Sequence, residues 1–186
     1  MSDLEITDDI FFNQSDLNSQ RIQRIVDDTI GHCDDGELFI EYRQSEAFGF
    51  DDGRLKTASF DTSQGFGLRG IVGETRGYAH ASELSEPAIR RAAETVKTLR
   101  SGNNEAPANN PVKTNAKLYT NENPILGMGF SDKVKLLQDI DSYARSKDPR
   151  IKQVSASLSA SWQAVQIMRA NGHRVADIRP LVRLNV

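Results

Sequence analysis

The sequence predicts an α+β fold in which an antiparallel β meander is packed by about three helices. Apolar and polar residues alternate with a period of two through residues 37–81 and again through 154–186. The connections within the first region are too short for a parallel crossover, so its strands are expected to run antiparallel. Outside these regions, three segments carry apolar residues at the spacing of an amphipathic helix.

The composition argues against a nucleic-acid-binding, membrane-spanning or secreted protein. The 186-residue chain has 23 Lys and Arg against 26 Asp and Glu, a formal net charge of −3, and 38% hydrophobic residues. Nucleic-acid-binding domains are usually strongly basic, and a membrane span needs ~20 apolar residues, so neither partner is expected. The acidic start lacks a signal-peptide core, and the single Cys33 cannot form an internal disulfide. We therefore expect a cytoplasmic protein.

The first third of the chain is expected to contain a tail and a helix. Residues 1–16 are polar and acidic, which predicts a flexible N-terminal tail before a single α+β domain at 17–186. Ser15 or Asp16 is expected to cap the first helix, and Gly31 to end it in the left-handed conformation.

The strands that follow are divided by turn signals. Asp52-Gly53 is typical of a two-residue hairpin, because Asp and Gly accept positive φ. Gly73-Glu74 suits a type II′ turn, which has Gly at its first central position. We predict four or five short strands between Glu37 and Ala81.

The next helices lie on either side of a long connection. Ser85 is the expected cap of the second helix, with Pro87 in its first turn and Gly102 at its end. Residues 101–130 are rich in Asn, Pro and Gly and predict a long surface loop. Ser131 is the expected cap of the third helix.

The end of the chain repeats the order of its beginning. Strands are predicted from Val154 to Gln163 and from Val165 to Met168, and an Asn171-Gly172 hairpin leads to a last strand. Helix, strands and an Asx-Gly turn thus occur twice, which suggests an internal duplication. The last strand is apolar up to Val186, and an open apolar edge recruits other chains. We therefore expect the front portion of a longer polypeptide.

Sequence motifs identify no catalytic, cofactor-binding or metal-binding residue. Gly65–Gly70 matches G-x-G-x-x-G, but strand and turn follow it, whereas a dinucleotide site needs a helix there. We interpret these glycines as positions of close packing or of bulges. His32, Cys33 and His173 lack the spacing of metal ligands.

Four residues are the candidates for substrate or partner contact. Arg76, Tyr78 and His80 alternate along one strand and are expected on its outward face, and Arg69 lies on the preceding strand. A catalytic base is the alternative role for His80, but the sequence places no nucleophile beside it.

The run SEAFGFDDGRLKTASFDTSQGFGLRGIVGETRGYAHA, from Ser45 to Ala81, closely resembles the front domain of the TldD branch of the TldD/PmbA peptidases. These are also called microcin-processing or modulator-of-gyrase proteins. The similarity continues at Leu118-Tyr119, in Gln153–Ser159 and in Ala176–Leu184.

The resemblance implies a cytoplasmic zinc metallopeptidase that degrades or matures peptides as a complex of TldD-like and PmbA-like subunits. In the family, an H-E-x-x-x-H helix of a later domain holds the zinc, and these 186 residues lack that motif. We therefore expect an assembly and substrate-docking domain, truncated before the zinc-bearing C-terminal domain and inactive alone. Its partners would be a PmbA-like subunit or a second copy, and an extended peptide. The alternative is a stand-alone β-sheet module that binds peptides or proteins without catalysis.

Overall fold

The computed structural model describes residues 1–98 and 119–186. Its α-helices are α1 (Asp3–Asp8), α2 (Ser19–Ile30), α3 (Glu86–Val96) and α4 (Phe130–Lys147). Its strands are β1 (Asp35–Asp51), β2 (Arg54–Val72), β3 (Thr75–Ala81), β4 (Ser155–Met168) and β5 (Arg174–Asn185). They form a five-stranded antiparallel sheet in the order β3-β2-β1-β4-β5. The predicted α+β class and the β1-β2-β3 meander are confirmed.

The described residues divide into two compact units, and long strands contribute to both. The first unit contains residues 1–42, 63–98 and 164–178; the second contains 43–62, 119–163 and 179–186. The single domain expected at 17–186 stays a prediction. No helix of the described part is long and apolar enough to cross a membrane.

The core of the first unit lies where α2 and α3 pack together and α3 packs on β3. The helical stripes expected from the sequence are buried, because each helix turns one apolar face inward. The core residues of α2, α3, β1 and β2 include Ile22, Ile25, Val26, Ile30, Ile89, Ala92, Ala93, Val96, Leu38, Ile40, Phe66, Leu68 and Val72.

The N-terminal residues are helical where we predicted a flexible tail. In α1, Ser2 Oγ accepts from the Glu5 amide and the Glu5 carboxylate accepts from the Ser2 amide, which is a capping box. A π-helical turn follows at Asp9–Asn13. Phe11 is buried, and Gln166 Nε2 donates to the buried Thr7 hydroxyl at 2.9 Å. The S-x-x-E spacing would have indicated this helix.

The ends of α2 differ from the prediction. Asn18 is the cap, rather than Ser15 or Asp16, and its side chain accepts from the Arg21 amide at 3.0 Å. Gly31 has φ −62°, so it is not left-handed. A Cβ at Gly31 would lie 2.4 Å from the Asp27 carbonyl oxygen, so close approach to the backbone is what requires glycine.

The other helices confirm one predicted cap and correct another. Ser85 caps α3, accepting from the Ala88 amide at 3.3 Å. The expected end of this helix at Gly102 lies outside the described residues. Gly129, not Ser131, is the cap of α4, and no side chain caps that helix. The structure describes residues 119–130 of the loop predicted at 101–130. Residues 119–129 form neither helix nor strand, and residue 130 is the first of α4.

The strands are fewer and longer than predicted. β1 has 17 residues and β2 has 19, and β4 continues through a region in which we predicted two strands. Polar, exposed side chains interrupt the hydrophobic alternation there without interrupting the backbone ladder, because the ladder depends on main-chain groups.

The predicted turns are confirmed by their backbone conformation. Asp52 and Gly53 have φ of 48° and 74°, and Asn171 and Gly172 have φ of 65° and 76°. Gly73 has φ 56°, and Val72 pairs directly with Thr75 across that turn. The order helix, strand, Asx-Gly turn, strand therefore occurs twice, as α2-β1-β2 and α4-β4-β5, and the duplication itself stays a hypothesis.

The second unit has its own apolar cluster. It contains Phe48 and Phe50 of β1, Leu137 of α4, and Ala156 and Leu158 of β4, with Leu55, Val134, Leu136 and Ile140 packed against it. The side chains of α4 on this cluster follow the helical period predicted from the sequence.

A buried ion pair lies beside this cluster. Lys133 Nζ is 2.6 Å from Glu46 Oε1, and both side chains are less than a tenth exposed. Lys133 Nζ also donates to the Ile125 carbonyl at 2.7 Å and lies 6.0 Å from the Phe48 ring centroid. The Glu46 contact is an ion pair rather than an aligned hydrogen bond, since Oε1 has no partner with hydrogen-bond geometry. Lys133 thus holds the 119–129 segment close to β1.

Replacing Lys133 by Met should lower the free energy of unfolding by about 3 kcal/mol, because the Glu46 carboxylate would remain buried without a counter-ion. Urea unfolding of the variant measures this loss. In the double variant that adds Glu46→Gln, much of the loss should be recovered. Equal losses in the single and double variants would contradict a specific pairing.

A second polar contact joins the end of β1 to the start of β4. Asp51 Oδ1 accepts from Ser155 Oγ at 2.6 Å and from Gln153 Nε2 at 2.9 Å. These hydrogen bonds, that of Ser155 foremost, lower the pKa of Asp51 from its ordinary 3.8. A lowered carboxyl pKa stabilises the fold above the unfolded value, and that contribution is lost as the pH falls through the folded value.

Replacing Ser155 by Ala should therefore reduce stability modestly at about pH 6 and have less effect below the ordinary carboxyl pKa. Urea unfolding at both pH values measures the difference. Ser159→Ala, on the same face of β4, is the matched control and should show no such pH dependence. A Ser155→Ala loss that stays constant with pH would argue against the Asp51 contact.

Candidate functional site

The candidate contact residues meet on the outward face of the β1-β2-β3 meander. β3 pairs with β2 and is the edge strand of the sheet. Arg69 lies opposite Tyr78, and Gly67 lies opposite His80. Since residues opposite each other in an antiparallel pair share a face, these four belong to one surface.

The predicted alternation along β3 is confirmed. Arg76, Tyr78 and His80 are exposed, whereas Ala79 and Ala81 between and after them are less so. The rings of Tyr78 and His80 stack, with centroids 5.4 Å apart and an interplanar angle of 25°. Two flat, exposed rings on an edge strand form a ready contact surface.

Arg69 has a structural role on the same face. Its guanidinium lies 3.0 Å from Glu37 Oε1 and 3.4 Å from Asp35 Oδ2, and its side chain is 40% exposed. Arg169 also pairs with Asp35. Arg69 therefore links β2 to the start of β1. Only the exposed part of its side chain is available to contact a substrate or partner.

A groove of about 320 Å³ runs over the glycines of β2. Phe39 and Glu41 of β1 line one side, Tyr78 and His80 of β3 line the other, and Gly65 and Gly67 lie between. Phe39 and Glu41 were not among the predicted contacts. In the sequence they alternate with Leu38 and Ile40, which are buried, and this alternation indicates that Phe39 and Glu41 point outward.

The glycines are required by close packing, as interpreted from the sequence. A Cβ on Gly67 would lie 3.0 Å from Tyr78 Oη, and one on Gly65 would lie 2.7 Å from the Ala81 carbonyl oxygen. The chain after Gly70 is strand and turn, so no helix N-terminus faces this G-x-G-x-x-G run.

Two further stretches of the sheet are open. β3 pairs with residues 66–72 of β2, so residues 54–64 have no strand partner on that side among the described residues, and 56–64 are exposed. β5 is the other edge strand. Its end exposes the apolar side chains Leu181, Val182, Leu184 and Val186.

Potential metal ligands do not form a cluster in the described part of the chain. Across residues 1–98 and 119–186, no three His, Cys, Asp or Glu side chains come together to hold a metal ion. Cys33 is buried, and burial, with a smaller effect of Asp34, raises the pKa of its thiol. The neighbouring acids have structural partners, since Asp34 Oδ2 accepts from the Gly73 amide at 2.6 Å and Asp35 pairs with arginines.

Two family models match the chain. Residues 36–100 match "PmbA/TldA metallopeptidase domain 1", and residues 123–186 match "PmbA/TldA metallopeptidase central domain". The boundary between the two matches falls in the connection before α4.

Curated relatives cover nearly all of this chain. A "Metalloprotease TldD homolog" of Haemophilus influenzae is 34% identical over 177 residues, 92% of this chain and 36% of the relative. Its counterpart from Buchnera aphidicola subsp. Schizaphis graminum is 28% identical over 185 residues, 98% of this chain and 38% of the relative. The chain thus spans little more than a third of the length of these relatives.

Solved structures share the fold. A putative modulator of DNA gyrase from Bacteroides thetaiotaomicron superposes with a TM-score of 0.65 at 18% identity, covering 91% of this chain and 40% of that one. TldE from Thermococcus kodakarensis gives a TM-score of 0.60 at 20% identity, covering 89% and 37%.

Replacing Gly67 by Ala should displace the Tyr78 ring, because the added Cβ would crowd its hydroxyl end. The ring is free to move, so stability should fall by less than about 1 kcal/mol. The stacked pair should loosen, which NMR detects as a change in the ring-current shift of the His80 imidazole. Gly127→Ala, where the nearest atom would be at 3.7 Å, should leave this signal unchanged. An unaltered His80 signal in Gly67→Ala would contradict the contact.

Proposed function

Because the chain belongs to the PmbA/TldD family of metallopeptidases, we propose that it is the N-terminal part of a TldD-like zinc enzyme. In that enzyme it serves subunit assembly and the docking of peptides that the enzyme degrades or matures, with microcin-type precursors as one substrate class. The observation that carries this proposal is the exposed edge strand β3 with Arg76, Tyr78 and His80 on its outward face.

Docking at such an edge would use the backbone of the peptide. An edge strand presents unpaired main-chain N–H and C=O groups, and an extended peptide satisfies them by adding a strand. The stacked Tyr78 and His80 rings would then cover side chains of the added strand. Selection would depend on the extended conformation of the peptide more than on its sequence.

Subunit assembly is the second proposed role. The apolar side chains at the end of β5 would be covered in the whole protein by its remaining domains or by a partner subunit. The similarity in fold to TldE supports a PmbA-like subunit as the partner, and a second copy of this chain is the other candidate.

The catalytic zinc is assigned to a later domain of the whole protein. The curated relatives are named metalloproteases, and this chain spans 36% and 38% of their length. We place the protein in the cytoplasm, on the family resemblance and on the free, buried thiol of Cys33. A stand-alone β-sheet binding module without catalysis is the alternative, favoured by the lack of a metal-binding cluster in the described residues.

Backbone docking predicts a specific chemical sensitivity. A fluorescent ten-residue unfolded peptide should bind the 186-residue chain, and the same peptide N-methylated at alternate residues should bind about tenfold more weakly, since each methyl removes a donor. Fluorescence anisotropy measures both affinities. The double variant Tyr78→Ala, His80→Ala should weaken binding, and Arg90→Ala on α3 is the matched surface control. Equal affinities for the unmodified and the N-methylated peptide would contradict the strand-addition proposal.

The same samples test where the chemistry lies. The pure chain should leave the peptide intact, with or without added Zn²⁺, as mass spectrometry would show. Chelator-sensitive cleavage by the pure chain would contradict the assignment of zinc to a later domain. Joining the chain to an in-frame H-E-x-x-x-H domain should restore cleavage, whereas the stand-alone alternative predicts that the natural reading frame ends after Val186.

A further inference from the structure

We propose that the groove between β1 and β3 binds the Lys or Arg side chain of a docked peptide, so that the chain prefers basic extended peptides. This inference rests on the proposed docking function and adds a substrate class to it. The groove lies beside the edge strand, on the face that carries Tyr78 and His80.

Charge is the first reason. Glu41 is the one Asp, Glu, Lys or Arg side chain among the described residues that line the groove. The basic side chain closest in the register, Arg69, is already paired with Asp35 and Glu37. No ion pair or side-chain hydrogen bond engages Glu41 within residues 1–98 and 119–186. Among the described residues the groove therefore presents a partly exposed carboxylate that is available to pair with a cationic group of a ligand.

Aromatic walls are the second reason. Phe39 lies two residues before Glu41 on the same face of β1, and Tyr78 faces it from β3. An ammonium or guanidinium group between such rings gains a cation–π interaction in addition to its ion pair with the carboxylate. The apolar stem of Lys or Arg would lie along the same rings.

The glycines let groups of β3 come close to the backbone of β2. The Cβ position of Gly67 lies 3.0 Å from Tyr78 Oη, so the Tyr78 ring lies over Gly67 and lines the groove together with Phe39 and Glu41 of β1. The groove, at about 320 Å³, has enough space for a long basic side chain.

The test uses three ten-residue Gly/Ser peptides that carry a central Lys, norleucine or Glu. Fluorescence anisotropy with the 186-residue chain should give about fivefold tighter binding of the Lys peptide than of the norleucine peptide, and the weakest binding for Glu. In Glu41→Gln the preference for Lys over norleucine should fall to near unity, with the norleucine affinity unchanged. Phe39→Leu, which keeps an apolar wall without a ring, should reduce the preference part way.

Glu74→Gln is the control, because it removes one negative charge from the β2–β3 turn without touching the groove. Its preference for Lys should equal that of the parent chain, and matching circular dichroism spectra would show that all variants are folded. Tight binding of every peptide with no preference for Lys, or a preference that survives Glu41→Gln, would overturn the groove assignment and leave the docking function intact. Failure to bind any of the peptides would overturn both.

Discussion

Burial of one face of the meander is the constraint on which the rest of this structure depends. Leu38, Ile40 and Leu68 have no exposed surface, and they belong to the core in which α2 packs on α3 and α3 packs on β3. A shift of pairing by one residue would bring Phe39 and Glu41 into the core and expose the apolar side chains, which fixes the register strongly. The same constraint decides which residues reach the outward face, so the groove and the ring pair follow from the packing beneath them.

Charged side chains then hold this face in place without closing it. Arg69 joins β2 to the first residues of β1, and Arg169 reaches the same Asp35. Exposed ion pairs contribute little stability singly, but a shared carboxylate restricts both guanidinium groups to one place. Because Arg69 and Arg169 are paired with Asp35 and Glu37, they do not neutralise Glu41. The outward face therefore has a local negative charge at Glu41, to which a cationic ligand can bind.

The sequence was most informative where one residue type has one local consequence. The Asp-Gly and Asn-Gly turns, the Ser85 cap and the outward alternation of Arg76, Tyr78 and His80 all follow from local chemistry and are present. The lengths of β1 and β2 were not predicted, because backbone pairing through polar residues leaves no hydrophobic pattern. The pairing of Lys133 with Glu46 was also missed, since the two residues are 87 positions apart in the sequence and only the tertiary fold brings them together. The four candidate contact residues could be predicted from the alternation of residues along their strands. The groove could not be predicted, because its lining depends on which residues of neighbouring strands lie opposite each other.

The location of Cys33 has a practical consequence. It is the only cysteine of the chain and is 6% exposed, so the folded protein offers little thiol to alkylating reagents. A cysteine introduced at an exposed place such as Ser63 would therefore react with a maleimide dye selectively, without prior removal of the native residue. The native thiol would in turn become reactive only when α2 and the strands around it separate. Cys33 would therefore not interfere with site-directed labelling of the folded protein, and its reaction with a thiol reagent would measure unfolding.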